Sequence, residues 1–459
     1  LKMIKKSAPR RFYRQSVQRC LRSLDNSDTY DTDDSCTGCE SKRMLKYLLD
    51  RFFSLSGTAL GIALTRAFSI LLFVVSARAF APDENGRFIQ AVAIPQVVAQ
   101  IAALGWLPLI VKEVSGRPEE ATARFKGFLV LATWIPLSCI TLCALAAVIY
   151  GIFCGNTLFY ALVGAFTVAY SGAIILKEYM LALRHPALGT LICEGLPFAF
   201  ATAMIWIGHP STVEEAIGFL VLGAAASILI VFPIVWRHMS KYLRAPETDY
   251  DVRHWMRSSL FSFLGSGGRS LIDRLDVIVL SAFALTAQLA LYNSSLRVAN
   301  LLILPAIVLL PVFSPHLSTA AQDNDRAALR RDMLLQTLII SASSLPFAGV
   351  LIAFPDTIVG FVFGDQYRNV GNIMTFMIMA QVIFAFSLPW SNLALMRGRV
   401  RLYGLTNLLA FALGMTVASL LLPRIGVVGV AVGSLVANTL AAVVFFGAEF
   451  SRLAGREAG

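Results

Sequence analysis

The chain has 459 residues, of which 57% are hydrophobic and only 15% charged, and its mean hydropathy is +0.69. That apolar excess excludes an ordinary soluble domain, which balances a core against a polar surface. The formal net charge of +11 gathers in an N-terminal tail and in short loops between apolar runs, so it speaks for membrane orientation and against a nucleic-acid partner.

In chain order, residues 1–50 come first: a basic stretch, KKSAPRRFYRQSVQR, then the acidic DNSDTYDTDD and CTGC. Without an apolar core this is no signal peptide, and it reads as a disordered cytoplasmic extension. Met44 opens MLKYLLDRFFSLSG, so residues 1–43 are expected to be an upstream translation extension or a tail. Cys36 and Cys39 form a lone CxxC that lacks the second ligand pair of a structural zinc site. No metal and no cofactor is expected.

Windows of about 20 apolar residues place spans near 53–79, 87–111, 127–150, 157–180, 187–207 and 214–236. After the charged connector 237–257 come spans near 258–283, 290–315, 333–353, 371–395, 402–422 and 426–448. The fold class is therefore an all-α polytopic membrane protein of about twelve transmembrane helices. It divides into an N-lobe, 51–240, and a C-lobe, 241–459.

The lobes repeat each other at an offset of 204 residues: Leu60-Gly61 aligns with Leu264-Gly265, and Phe88, at the end of FAPDENGRF, with Tyr292. ExLPF at 194–198 resembles NxLAF at 407–411 in the matching fifth spans. With an even number of crossings per lobe, both lobes start on the same side. The pseudo-two-fold axis then runs along the membrane normal. Loops on one side carry Lys112, Arg124, Lys126, Arg237, Arg257, Arg330, Arg397 and Arg401 among others, whereas the opposite side has only Arg87, Arg368 and Arg424. The positive-inside rule puts both termini in the cytoplasm.

Chemistry finds no foothold. The outward loops, such as APDENG and FCGN, are too short for a membrane enzyme's acid and base residues, and the largest outward segment, 354–369, is mostly apolar. There is no GxxxxGK[ST] phosphate loop, and the five histidines lack HExxH spacing. The protein is read as a transporter and not as an enzyme.

The informative residues are charges inside spans, each costing roughly 2.5–3.5 kcal/mol on insertion scales unless it faces water or a partner. Arg66 is the only charge in the interior of the first span. The seventh carries Arg269, Asp273 and Asp276 at spacings that share one helix face, with Arg274 off that face. Arg297 lies in the eighth span, Lys177 and Glu178 in the fourth and Glu194 in the fifth. Arg66, Arg269, Arg274 and Arg297 are the candidate substrate contacts, since guanidinium groups grip phosphate oxygens in pairs. Asp273, Asp276 and Glu194 either couple to an ion or hold the arginines. An Arg269–Asp273 pair within the helix and an Asp276–Arg297 pair between helices fit these residues as well as substrate contact does. Lys177 and Glu178 read as a helix end snorkelling to the interface, and Glu194 has no evident partner.

The first hairpin, SLSGTALGIALTRAFSILLFVVSARAFAPDENGRFIQAVAIPQVVAQIAALG, resembles the opening of the polysaccharide-biosynthesis flippases (Wzx-type) of the multidrug/oligosaccharidyl-lipid/polysaccharide exporter superfamily. SLIDRLDVIVLSAF at 270–283, the segment 291–318 and LLPRIGVVGVAVGSLVAN at 421–438 resemble its second-lobe elements, so the likeness covers about 50–450. It implies a MATE-like fold in a bacterial inner membrane. The implied cargo is an oligosaccharide on undecaprenyl pyrophosphate, moved by alternating access for O-antigen, capsule or exopolysaccharide, with a polymerase and a chain-length regulator as associated proteins. Two rivals share the superfamily. A multidrug cation antiporter is disfavoured by Arg66, and MurJ-type lipid-precursor flippases usually carry two further C-terminal spans.

Overall fold

The computed structural model describes residues 60–115, 122–183, 185–244, 247–283, 285–307, 309–310, 313, 317 and 326–454. The tail with Cys36, Cys39 and Met44 lies outside the described residues. Residues 55–459 form one compact unit, and every regular element described in it is helical.

The first half holds α1 (Leu60–Ala79), α2 (Pro82–Ala102), α3 (Trp106–Ser115), α4 (Thr122–Phe153), α5 (Thr157–Ala182), α6 (Pro186–Gly208) and α7 (Val213–Leu243). The second holds α8 (Val252–Ile272), α9 (Leu275–Ala282), α10 (Thr286–Ile307), α11 (Arg326–Ala353), α12 (Pro355–Phe363), α13 (Gly371–Met396), α14 (Val400–Ile425) and α15 (Val428–Ala454). Helices are the natural outcome, because in lipid each backbone N–H and C=O must be satisfied within its own segment. Their starts follow local chemistry. Prolines with preset φ open α2, α6 and α12, while Thr212 and Asp251 accept from the backbone N–H groups of Glu215 and His254 at 3.3 Å to cap α7 and α8.

Ten described helices are long and apolar enough to cross a membrane, and α2 with α3, bent by 59°, makes an eleventh. Two of the twelve expected spans therefore differ from a straight helix. The second bends at Leu104 and Gly105, which both have positive φ, of 46° and 76°. A Cβ on Gly105 would lie 2.1 Å from the Ser259 carbonyl, so only glycine lets α8 approach there. The seventh is broken: α8 ends at Ile272, Asp273 caps it, and Arg274 starts α9. Four charged residues within 269–276 deny it the apolar length of a span, and the break overturns the expectation that Arg269, Asp273 and Asp276 share one helix face.

The repeat is visible in the packing. Pro82 and Thr286 begin the matching helices α2 and α10, which pack together so closely that a Cβ on Gly86 would fall 1.9 Å from the Thr286 carbonyl. Around this crossing the two halves cap each other. Arg78 donates to the carbonyls of Phe361 and Val362 at the end of α12 (2.7 and 3.1 Å). Gln366 returns the favour to Ala77 at the end of α1 (2.7 Å). Asn85 donates to the Tyr367 hydroxyl at 2.8 Å, and Thr286 to Asp83. The apolar segment 354–369, read from sequence only as a loop, is thus the plug that satisfies the last carbonyls of α1.

The most deeply buried ion pairs lie within one half. Glu449, fully buried, receives Arg397 at 2.5 Å and Arg399 at 2.7 Å, tying the α13–α14 turn to α15. Lys177 on α5 sits between Glu178 (2.9 Å) and Glu194 (2.8 Å) with its side chain 20% exposed. Two expectations fall here. Lys177 does not snorkel, and Glu194 does have a partner, delivered by a π-turn at Leu191–Gly195 whose Ile192 carbonyl accepts from Ser227 at 2.8 Å.

Gly86→Val is expected to force α2 from α10 and lower stability by about 1–3 kcal/mol, read as a drop in the thermal unfolding midpoint of the purified protein; an unchanged midpoint would refute the close approach. Lys177→Met strands two carboxylates and is expected to cost about 3–5 kcal/mol. Adding Glu178→Gln and Glu194→Gln to it should restore most of the midpoint, and no recovery would show that Lys177 acts through packing alone.

Candidate functional site

The residues that bracket the interior of the bundle arrive from both halves. On α1, Thr65 turns toward α6, its hydroxyl bonded to the Gly61 carbonyl at 2.8 Å. That orientation leaves Arg66 and Ser69 facing inward. From α2 come Gln96 and Gln100, four residues apart and so on one face. The broken seventh span supplies Arg269, Asp273, Arg274 and Asp276, α10 supplies Arg297, and the π-turn of α6 supplies Glu194. The seven candidate contact and coupling residues line a single cavity of about 390 Å³, and Lys177 and Glu178 do not line it. Its lining runs from mid-helix to Gln100 near the end of α2 and to Ile307 at the end of α10. The cavity thus extends away from the interlocked crossing of α2 and α10.

The arginines differ in how they are held. Arg269 donates from Nη1 to Asn438 Oδ1 (3.0 Å) and from Nη2 to Asp273, with its guanidinium 3.6 Å above the Phe384 ring centre. This is the expected intrahelical pair, with partners drawn only from the second half. Arg274 and Arg297 reach into the first half. Arg274 donates to Gln96 Oε1. Arg297 donates to Ser69 Oγ at 3.4 Å and to Asn293 Oδ1 at 3.3 Å, stacked 3.9 Å from the Phe73 ring centre. Arg66 makes no hydrogen bond or ion pair among the described residues.

Asp276 is 4% exposed in the first turn of α9. It forms no ion pair within 4.0 Å of Arg297 among the described residues, so the expected interhelical bridge is absent there. Arg274 is the strongest electrostatic partner of this carboxylate, ahead of the amides at the start of α9 and of Arg297.

Chemically, the cavity offers three guanidinium groups, Arg66, Arg274 and Arg297, that are unpartnered or bound to neutral oxygens, and their donors remain available to an anion. The neutral contributors, Gln96, Gln100, Gln381, Asn438 and Ser69, were not singled out from sequence. A signal did exist for the first two, as amides spaced i, i+4 inside an apolar run; the stacking of Phe73 and Phe384 under arginines left none.

A family profile described as "Polysaccharide biosynthesis protein" matches residues 75–372. No sequence among curated proteins matches the chain. Among solved structures, a point mutant of the Vibrio cholerae MATE transporter VcmN is 14% identical with a TM-score of 0.59, covering 88% of this chain and 97% of that one. An inward-facing multidrug resistance MATE family transporter of the MOP superfamily is 15% identical with a TM-score of 0.56, covering 87% and 100%. A MOP superfamily transporter from Pyrococcus furiosus, described as having a binding pocket of reverse polarity that suggests a different function, is 14% identical with a TM-score of 0.54, covering 87% and 94%. At these identities the likeness shows the fold, which is that of MATE transporters. With its profile match spanning more than half of its length, the chain belongs to the polysaccharide biosynthesis protein family.

Proposed function

We propose that the protein is a flippase for lipid-linked oligosaccharide. It would carry a saccharide head on prenyl pyrophosphate, of the undecaprenyl type, across a bacterial inner membrane to supply surface polysaccharide. One observation carries the reading: Arg66 from the first half and Arg274 and Arg297 from the second face one cavity with only neutral hydrogen-bond partners. Leaving three such charges without a carboxylate in hydrogen-bonding contact inside a membrane protein is costly unless water or an anion completes them. Pyrophosphate, doubly charged and rich in acceptors, is that anion. Family membership supplies the polysaccharide context.

A sugar-pyrophosphate head cannot cross hydrocarbon unaided, whereas its prenyl tail is at home there. The head occupies the cavity while the tail stays among the lipids. Translocation follows if residues 51–240 rock against 241–459, closing one end as the other opens. The arginine-rich loops lie on the cytoplasmic side by the positive-inside rule, as do both termini. The interlocked crossing of α2 and α10 is then the outward end, and the cavity extends toward the cytoplasm where the lipid-linked precursor is made. Polymerase and chain-length regulator act downstream of release. A cation antiporter would meet the same three guanidiniums as repulsion.

The test is the lipid-linked saccharide pool of a deletion strain complemented with wild type or Arg66→Ala. Prenyl-pyrophosphate oligosaccharide is expected to accumulate facing the cytoplasm and surface glycan to vanish. Arg66→Ala, expressed at the wild-type level, should restore surface glycan at least about tenfold less well, as loss of a charged hydrogen-bonding contact implies. An unchanged pool together with cationic dye retained by the cells would replace the flippase with an antiporter.

A further inference from the structure

We propose that the cavity wall formed by Arg269, Asp273, Gln381 and Asn438 is a saccharide subsite for an uncharged sugar ring. The proposal rests on the flippase reading and adds where the head's sugar is held and what kind of sugar fits.

Charge decides the class of ligand. Arg269 and Asp273 are paired, so this wall is neutral, whereas the anion-seeking arginines lie where the two halves of the chain meet. A phosphate gains more from Arg66, Arg274 and Arg297, and a cation finds Asp273 already compensated. What the wall offers is hydrogen bonding on neutral ground.

Its groups are fixed and available. Arg269 is pinned from below by the Phe384 ring at 3.6 Å and from the side by Asn438 Oδ1 at 3.0 Å, and its side chain is 16% exposed. Asp273 beside it is 50% exposed and lines the cavity. The Gln381 amide also lines the cavity and makes no hydrogen bond among the described residues. The Asn438 amide nitrogen donates to nothing described, since its oxygen alone is engaged by Arg269. Carboxylate acceptor and amide donors side by side match sugar hydroxyls, each of which donates once and accepts twice. A pyrophosphate on the three interfacial arginines would leave its first sugar in the cavity that this wall also lines.

The test measures affinity of the purified full-length protein in nanodiscs for prenyl pyrophosphate and for the same lipid bearing glucose, galactose or N-acetylglucosamine. For at least one sugar, wild type should prefer the sugar-bearing lipid by about fivefold or more, the worth of one or two net hydrogen bonds. Gln381→Ala and Asn438→Ala, checked by thermal unfolding, should each move that ratio toward one, and Arg66→Ala should weaken both lipids together. Gln381 has no described partner to lose, so its truncation keeps the test valid where Asn438→Ala misfolds. A wild-type ratio near one for every sugar, or a ratio unmoved by the variants that fold, overturns the subsite while the pyrophosphate site stands. Failure of wild type to bind either lipid overturns the flippase reading and the subsite with it.

Discussion

The structure depends on what becomes of charge inside a membrane. Each ionised group in the bundle has to be matched by an opposite charge, by oriented dipoles or by water. Glu449 is fully buried between Arg397 and Arg399, and Lys177 lies between two glutamates. Asp276, at a helix start, draws on Arg274 first and then on the backbone amides. Once these are assigned, Arg66, Arg274 and Arg297 stand out because neutral groups or the open cavity receive them.

The same cost explains what was legible in the sequence. A charge in an apolar run is conspicuous, so all seven candidate residues stand out there, and all seven line one cavity. The helices and the 204-residue repeat were legible because apolar length and shared turns are local properties, and α2 and α10 start 204 residues apart as the alignment requires. Partners were not legible. Lys177 meets Glu194 within a π-turn of α6, and Arg274 meets Gln96 from 178 residues away. Breaks were missed for a related reason. The 59° bend at Gly105 answers the approach of Ser259, a contact that residues 87–111 do not contain.

Interactions also differ in strength according to where they fall. The buried ion pairs lie within one half of the chain: Lys177 with Glu178 and Glu194 in the first, Arg397 and Arg399 with Glu449 in the second. Between the halves, the contacts at the α2–α10 crossing are mostly neutral or involve backbone carbonyls, as with Arg78, Gln366, Asn85 and Gln90, which donates to Ser281 at 3.1 Å. The described ion pair that joins the first half to the connector, Arg124–Asp251, is about half exposed and so worth little. Breaking a buried charge pair costs several kcal/mol, whereas a hydrogen bond that water can replace contributes about 0.5–1.5 kcal/mol net. This ordering suits the proposed rocking of one half against the other.

That seam also crosses the proposed anion site, and the consequence is functional. Arg66 belongs to the first half, while Arg274 and Arg297 belong to the second and touch the first through Gln96, Ser69 and Phe73. Under the proposed rocking, any motion that parts the seam separates one guanidinium from the other two. Three arginines around one pyrophosphate bind strongly only while they are close together, because charge-assisted hydrogen bonds fail within about an ångström of stretch. A site assembled across the moving interface therefore weakens as the protein changes state, and the cargo leaves without a separate device to expel it. Arg269, whose described partners all lie in the second half, does not share this dependence. A sugar held beside it would stay with one half of the protein as the pyrophosphate is let go.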